Sequence, residues 1–311
     1  VRTRAALRAL LLCAVVGTLL FLASFPGGLE PARASATSLP LRPATHLHDL
    51  RAGMVGPSDV ALGPAGEVFV LDGVNNRVVV FDAAGRRVRT FGRSGDGPGE
   101  LSRPLGLTVG DSGRVYVADS GNSRVQVLSA GGAAVRSIAV PGRDGSASDP
   151  TDVAIDEEHG RLYVVDNDAH RLLAFDMLSG RLLATVGDSG LGRREFRHPF
   201  MIAMDDSFYL YVSEVVNTRV QVLNHRGQHV SMVGSWGVER GELYRPKGVA
   251  VDREGNIYVG DSYLGVIQVF DLQGTFLYAI GNDSAADVLR FTTPVGLAVD
   301  DADRLHVVEM V

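Results

Sequence analysis

The chain has 311 residues, 45% of them hydrophobic and 21% charged, so it can bury a large core. Its net charge is −6, and its arginines are scattered beside a single lysine, Lys247, which leaves no electrostatic footprint for DNA or RNA. The one cysteine, Cys13, lies in the first segment, so the rest of the chain can have no internal disulfide, CxxC redox pair, CxxCH haem attachment or thiol nucleophile.

The N-terminus reads VRTRAALR, then an uncharged run from Ala9 to Phe25 broken by Pro26-Gly27-Gly28, then ARA-S and ASA-T. A basic start, an apolar stretch and small-x-small sites after Ala34 or Ala36 predict a secretory signal peptide over 1–36. The rival reading is an uncleaved anchor, because the run is at the short end for crossing about 30 Å of hydrocarbon. Cleavage implies a periplasmic or secreted protein; contact with a membrane follows only from the anchor. Residues 37–56 form a linker, in which THLHDL (45–50) is expected to be a closing strand.

From residue 57 a short phrase opened by proline recurs six times: PSDVAL at Pro57, PLGLTV at Pro104, PTDVAI at Pro150, PFMIAM at Pro199, PKGVAV at Pro246 and PVGLAV at Pro294. The spacing of 46 to 49 residues marks a unit that must stack on its copies to bury its apolar face. In the first unit, 59–62, 67–72, 77–82 and 87–91 alternate apolar and polar residues between Gly, Asp and Asn turns, which predicts four antiparallel strands. The second strand recurs as VFVLD, VYVAD, LYVVD, LYVSE, IYVGD and LHVVE. Four strands in six units predict an all-β, six-bladed propeller over 57–311, which leaves few exposed strand edges. Only two strands of the sixth unit are visible before Val311. A missing middle strand would forgo several ladder hydrogen bonds at about 1 kcal/mol each, so the sequence is expected to be a fragment truncated in its last blade.

The phrase Pro-x-Gly-Val-Ala-Val-Asp, then Gly-x-x-Tyr-Val-x-Asp-x-x-Asn-x-Arg-Val-x-Val-Phe and a Gly-Glu-Phe/Leu loop, resembles the NHL repeat. The fullest copies are Pro104–Leu128 and Pro246–Phe270, and the resemblance extends over 57–311.

The carboxylate ending each second strand (Asp72, Asp119, Asp166, Glu214, Asp261, Glu309) and the arginine five residues later (Arg77, Arg124, Arg171, Arg219) look catalytic in isolation. Their repetition points instead to a turn that satisfies its own amides. Function is expected where the repeat is broken. Unit three has Ala169-His170, unit four has Glu214 for Asp, and unit five has Leu264 and Val266 in place of Asn and Arg. The loops before the fourth and fifth prolines carry Arg193, Arg194, Phe196, Arg197 and His198, then Trp236, Arg240, Tyr244 and Arg245. Arginine and aromatic residues on one face have the composition of a binding hot spot. The expected contact set is His170, Arg193, Arg197, Phe200, Glu214, Trp236, Tyr244, Arg245 and Lys247, for a protein or small ligand of unknown identity.

The first strands place Asp59, Asp152, Phe200, Met201 and Lys247 on the bore, where two acids and a lysine suit a cation, a polar ligand or ordered water. Among NHL propellers, the peptidyl-hydroxyglycine amidating lyases use a histidine-ligated metal, and the segment ending in His170 resembles one of their histidine segments. The other positions carry Leu105, Thr151, Phe200 and Lys247, so that site is incomplete. The resemblance also reaches sugar-lactonase and streptogramin-lyase propellers. It implies Glu214, Asn217, Asp59 and Asp152 as positions for a divalent metal in the bore. GDSG at 110–113 aligns with the turn between first and second strands and at 187–190 with the exit of a fourth strand, and neither is a nucleophile loop. The sequence thus favours an exported binding scaffold with no assigned catalytic residue and no cofactor. The alternative is a metal-dependent lyase or lactone hydrolase acting at the bore.

Overall fold

The computed structural model describes residues 41–42, 44, 46–281 and 291–310; the expected signal peptide lies outside them. Among the described residues, no helix is long and apolar enough to cross a membrane. The helices here are two 3-10 turns, at Ser120–Asn122 and Arg143–Gly145.

Strand β1 is Leu41–Arg42. Blade one is β2 to β5 (Pro57–Leu62, Val68–Asp72, Arg77–Phe81, Arg87–Phe91), followed by the short pair β6 (Arg93–Ser94) and β7 (Glu100–Leu101). Blade two is β8 to β11 (Gly106–Val109, Val115–Asp119, Arg124–Leu128, Ala134–Ala139). Blade three is β12 to β15 (Pro150–Asp156, Arg161–Asp166, Arg171–Asp176, Leu182–Val186). Blade four is β16 to β19 (Pro199–Met204, Leu210–Glu214, Arg219–Leu223, His229–Val233), and blade five β20 to β23 (Pro246–Val251, Ile257–Asp261, Val266–Phe270, Phe276–Ile280). Each is an antiparallel meander in chain order.

The blade count differs from the expected six. Five blades are complete, and the last unit is a two-stranded sheet, β24 (Pro294–Val299) with β25 (Leu305–Glu309). The closing strand expected at 45–50 is likewise not formed. His46 and Arg51 bond the Asp49 carboxylate instead, and Leu50 packs beneath blade one. What extends a sheet edge is β1, which pairs in parallel with β23 of blade five.

The period-two alternation decides which neighbour each side chain meets. In β3, Phe69 and Leu71 pack with Leu107, Val115 and Val117 of blade two, while Val68 and Val70 pack with Val295 and Val308 of the two-stranded sheet. Equivalent layers fill every other gap between successive sheets, so the ring closes with β24 between β20 and β2. The second strands of blades one to five are buried throughout, apart from Arg161 at the start of β13, which is why they read as mainly apolar runs rich in β-branched and aromatic residues. The outermost strands are mostly exposed.

The repeated carboxylate and arginine form a knot that holds the loop arriving from the preceding blade. Asp119 accepts the Ser102 backbone N–H (2.6 Å), the Asn122 amide (2.7 Å) and the Arg124 guanidinium (2.8 Å). Arg124 donates onward to the Asp96, Gly97 and Glu100 carbonyls. Asp72 and Glu214 are tied in the same way, to Val55, Asn75 and Arg77 and to Arg197, Asn217 and Arg219. These side chains are framework.

Candidate functional site

Away from the knots, two features of the ring remain: the loop face of blades three to five, and the bore.

On the face, three aromatic rings gather where the loop leading to blade five meets the turn between β21 and β22. Tyr244 and Tyr263 stack with centroids 4.1 Å apart, and Trp236 stands 6.4 Å from Tyr244 with 71% of its surface exposed. The turn has this shape because blade five lacks the arginine of the other knots and, like blade three, the asparagine. Asp261 instead accepts four backbone N–H groups, from Tyr244, Arg245, Tyr263 and Leu264, and so fixes both tyrosines at once. Arg245 is exposed beside them.

Two residues on, the Lys247 ammonium lies 5.7 Å over the Phe200 ring. Burial, and next the charge of Arg245, lower its pKa. Between blades three and four, His170 and His198 meet edge to face at 4.7 Å. His170 occupies a left-handed corner (φ 53°), as do Asn76, Ser123 and Thr218 in their blades. From there its Nδ1 accepts the His198 backbone N–H, while the His198 ring bonds the Asn167 side chain. Burial and the neighbouring His170 lower the His198 pKa.

The remaining expected residues separate. Arg193 and Arg197 are exposed, with Arg193 near enough to His229 on the outer strand of blade four to contribute, after burial, to lowering its pKa. Phe196 is fully buried, in the apolar layer with Val165, Leu172 and Leu210 between blades three and four. Glu214 is fully buried in its knot, 2.6 Å from Arg219, so it is not offered to a partner. Burial raises its pKa against the pull of Arg219. Tyr263 escaped the sequence argument because it stands in a turn; its signal was the missing Asn and Arg around it.

The bore is a cavity of about 560 Å³ walled by the first strands of all six sheets. Asp59 and Asp152 line it, each just after a break in the strand register that follows Pro57 or Pro150. Asp59 reaches the Leu107 N–H of blade two and Asp152 the Ile202 N–H of blade four, each at 2.8 Å. Gly106 and Gly296 are needed here. A Cβ on Gly106 would fall 2.2 Å from the Asp152 carboxylate, and one on Gly296 would fall 2.7 Å from the Asp59 Cα. Burial pushes the Asp59 pKa up to about 7, and burial together with Asp59 raises that of Asp152. Phe200 and Lys247 do not line this cavity, nor does Glu214. Among the described residues no three His, Cys, Asp or Glu side chains converge as metal ligands.

A family model for the NHL repeat matches residues 55–81, 101–128, 148–175 and 243–270, which fall on blades one, two, three and five. No curated protein is similar at a significant level. Among solved structures, a streptogramin B lyase superposes with a TM-score of 0.62 at 14% identity, covering 84% of this chain and 93% of its own. A gluconolactonase from Xanthomonas campestris gives 0.63 at 17%, covering 82% and 84%. A protein of unknown function from Bacteroides thetaiotaomicron gives 0.63 at 21%, covering 88% and 71%. Likeness at such identity shows the fold alone.

Proposed function

We propose that this chain, an NHL-repeat β-propeller, is an exported binding module that takes a protein or small ligand on the loop face of blades three to five. One observation carries the reading: Trp236 is 71% exposed against the stacked Tyr244 and Tyr263, with the exposed Arg245 next to Tyr244 in the chain. A large ring held in water beside two others is the composition of an interface anchor, since Trp, Tyr and Arg dominate binding energies. The knot around Asp261 fixes the tyrosines beforehand, so little ordering remains to be done on contact. Capture from an extracytoplasmic fraction on immobilised protein, beside Trp236→Ala and Arg245→Ala, tests it. The partner should be lost from both variants; an unchanged set of partners rejects this face.

A second reading, a lyase or lactone hydrolase working at the bore, is supported by the cavity and by the fold neighbours. The residues do not fit the metal that this reading calls for. Glu214 and Asn217 are bonded to each other and to Arg219 and the Gly190 carbonyl, off the bore, which leaves Asp59 and Asp152 without further ligands. No catalytic step is therefore drawn through a metal.

A further inference from the structure

On the side each blade turns to the next, one pair of residues stands opposite across the third and fourth strands. The pairs are Val80 with Arg89, Val127 with Arg136, Val222 with Ser231 and Val269 with Tyr278 in blades one, two, four and five. In blade three both members are alanines, Ala174 and Ala184. Arg136 crosses from blade two and donates to the Met177 and Leu178 carbonyls of blade three. Ala184 has no side chain with which to reach the corresponding turn of blade four, His225-Arg226-Gly227. Ala174 accordingly keeps 9% of its surface, where the four valines keep at most 3%.

The underfilled layer holds a cavity of about 250 Å³ between blades three and four. Its walls belong to the apolar core of that gap, with Leu172, Ala174, Val186 and Leu210, and it reaches the surface at the exposed Leu183 and Ala184. Arg161, His225 and Arg226 also line it, and no Asp or Glu does. Arg161 precedes Asp166 by the interval at which Glu67 precedes Asp72, and in blade one Glu67 pairs with Arg89. Blade three has thus lost the acid of that pair and kept a cation. The Arg161 Nη1 donates to the His225 carbonyl at 2.7 Å, beside the Tyr163 hydroxyl at 2.8 Å. Among the described residues neither Arg161 nor Arg226 forms an ion pair. Asp156, whose charge acts on His225, is fully buried and bonded to His159.

An apolar hollow edged by guanidinium groups disfavours a cation and suits an aliphatic body that ends in a carboxylate, the group arginine bonds most strongly. An apolar cavity of about 150 Å³ takes up benzene, so this one has room for roughly ten heavy atoms. We propose that it is a binding site for a medium-chain alkanoate, the aliphatic chain in the space left by Ala174 and Ala184 and the carboxylate at Arg161 and Arg226. The site lies apart from the loop face and the bore and rests on neither reading of them.

The test is calorimetric titration of the whole chain near neutral pH with octanoate, octanol and octylamine. Octanoate should bind, octanol at least tenfold more weakly, and octylamine not at all. Ala184→Tyr copies the residue of blade five at an exposed position and fills the hollow without adding charge. It should abolish octanoate binding and leave the melting temperature no lower. Arg226→Gln lies on an exposed turn, where folding is not at risk, and should weaken octanoate at least threefold and leave octanol unchanged. Absence of octanoate binding, equal binding of octylamine, or octanoate affinity that ignores either substitution overturns the proposal.

Discussion

Blades two and three place the same aspartate at the same corner and treat it differently. In blade two, both oxygens of Asp119 are occupied, by Ser102, Asn122 and Arg124. In blade three, Asp166 is just as buried, yet its hydrogen bond and ion pair go to Arg171 through Oδ2, and Oδ1 has no partner. Ala169 lacks the amide with which Asn122 reaches Oδ2 of Asp119, and no N–H meets Oδ1 of Asp166 as the Ser102 N–H meets Oδ1 of Asp119. The repeat therefore supplies a complete knot and tolerates an incomplete one, and the incomplete copy is the one that carries His170 onto the loop face.

The largest test of that contrast removes each carboxylate in turn. Asp119→Ala would leave the Arg124 guanidinium buried without its charge partner and release the Ser102 amide, a loss of about 3–5 kcal/mol. Asp166→Ala also strands an arginine, but it removes an acceptor that was already unmet, so its cost should be smaller by about 1–3 kcal/mol. Chemical denaturation of the two variants gives the difference directly. Equal losses would mean that the empty Oδ1 of Asp166 is filled in solution.

A third kind of buried aspartate extends the comparison. Among the described residues Asp59 and Asp152 have no arginine partner, and burial raises both pKa values, that of Asp59 to about 7. The folded protein then holds protons that the unfolded chain has released once the pH passes the ordinary carboxylate range. The stabilisation is fully present below about pH 4 and is lost as the pH rises towards 7, with a slope of at most about 1.4 kcal/mol per pH unit for one proton. Asp59→Asn should flatten that slope. Melting temperatures measured across the window would refute this account if the wild type gained stability with rising pH.

Much of the ring was legible because its physics repeats. The proline phrases set the period, and buried second strands such as VFVLD and VYVAD announced layers packed on both faces. The carboxylate and arginine were readable as framework because an active site has no need of several copies. What could not be read were contacts between units. Nothing in the spacing says that Tyr244 and Tyr263 stack, or that His198 folds back on His170. Phe196 looked like a surface aromatic because its loop is long and polar, and only packing shows that it joins the core between blades three and four. The segment 46–50 alternates like a strand, but its charges find partners locally in Asp49 and it never joins a sheet.

The smallest expected effect is the most direct check on why blade three differs. Ala169→Asn restores the residue found at 75, 122 and 217, where the side-chain amide donates to the knot carboxylate at 2.5–3.1 Å. The backbone there needs no special residue, since the left-handed position of this turn is the next one, His170. One new hydrogen bond to a buried carboxylate is worth about 1 kcal/mol net, somewhat more where the acceptor is charged. The substitution should therefore stabilise the protein by about 1 kcal/mol, against the usual trend of mutation. It should do so without moving the loop-face aromatics, which hang on Asp261 in a different blade. A destabilised Ala169→Asn variant would show that the new amide does not reach Asp166, and the contrast between the two blades would then lie in the incoming loop, which supplies an N–H to Oδ1 of Asp119, rather than in residue 169.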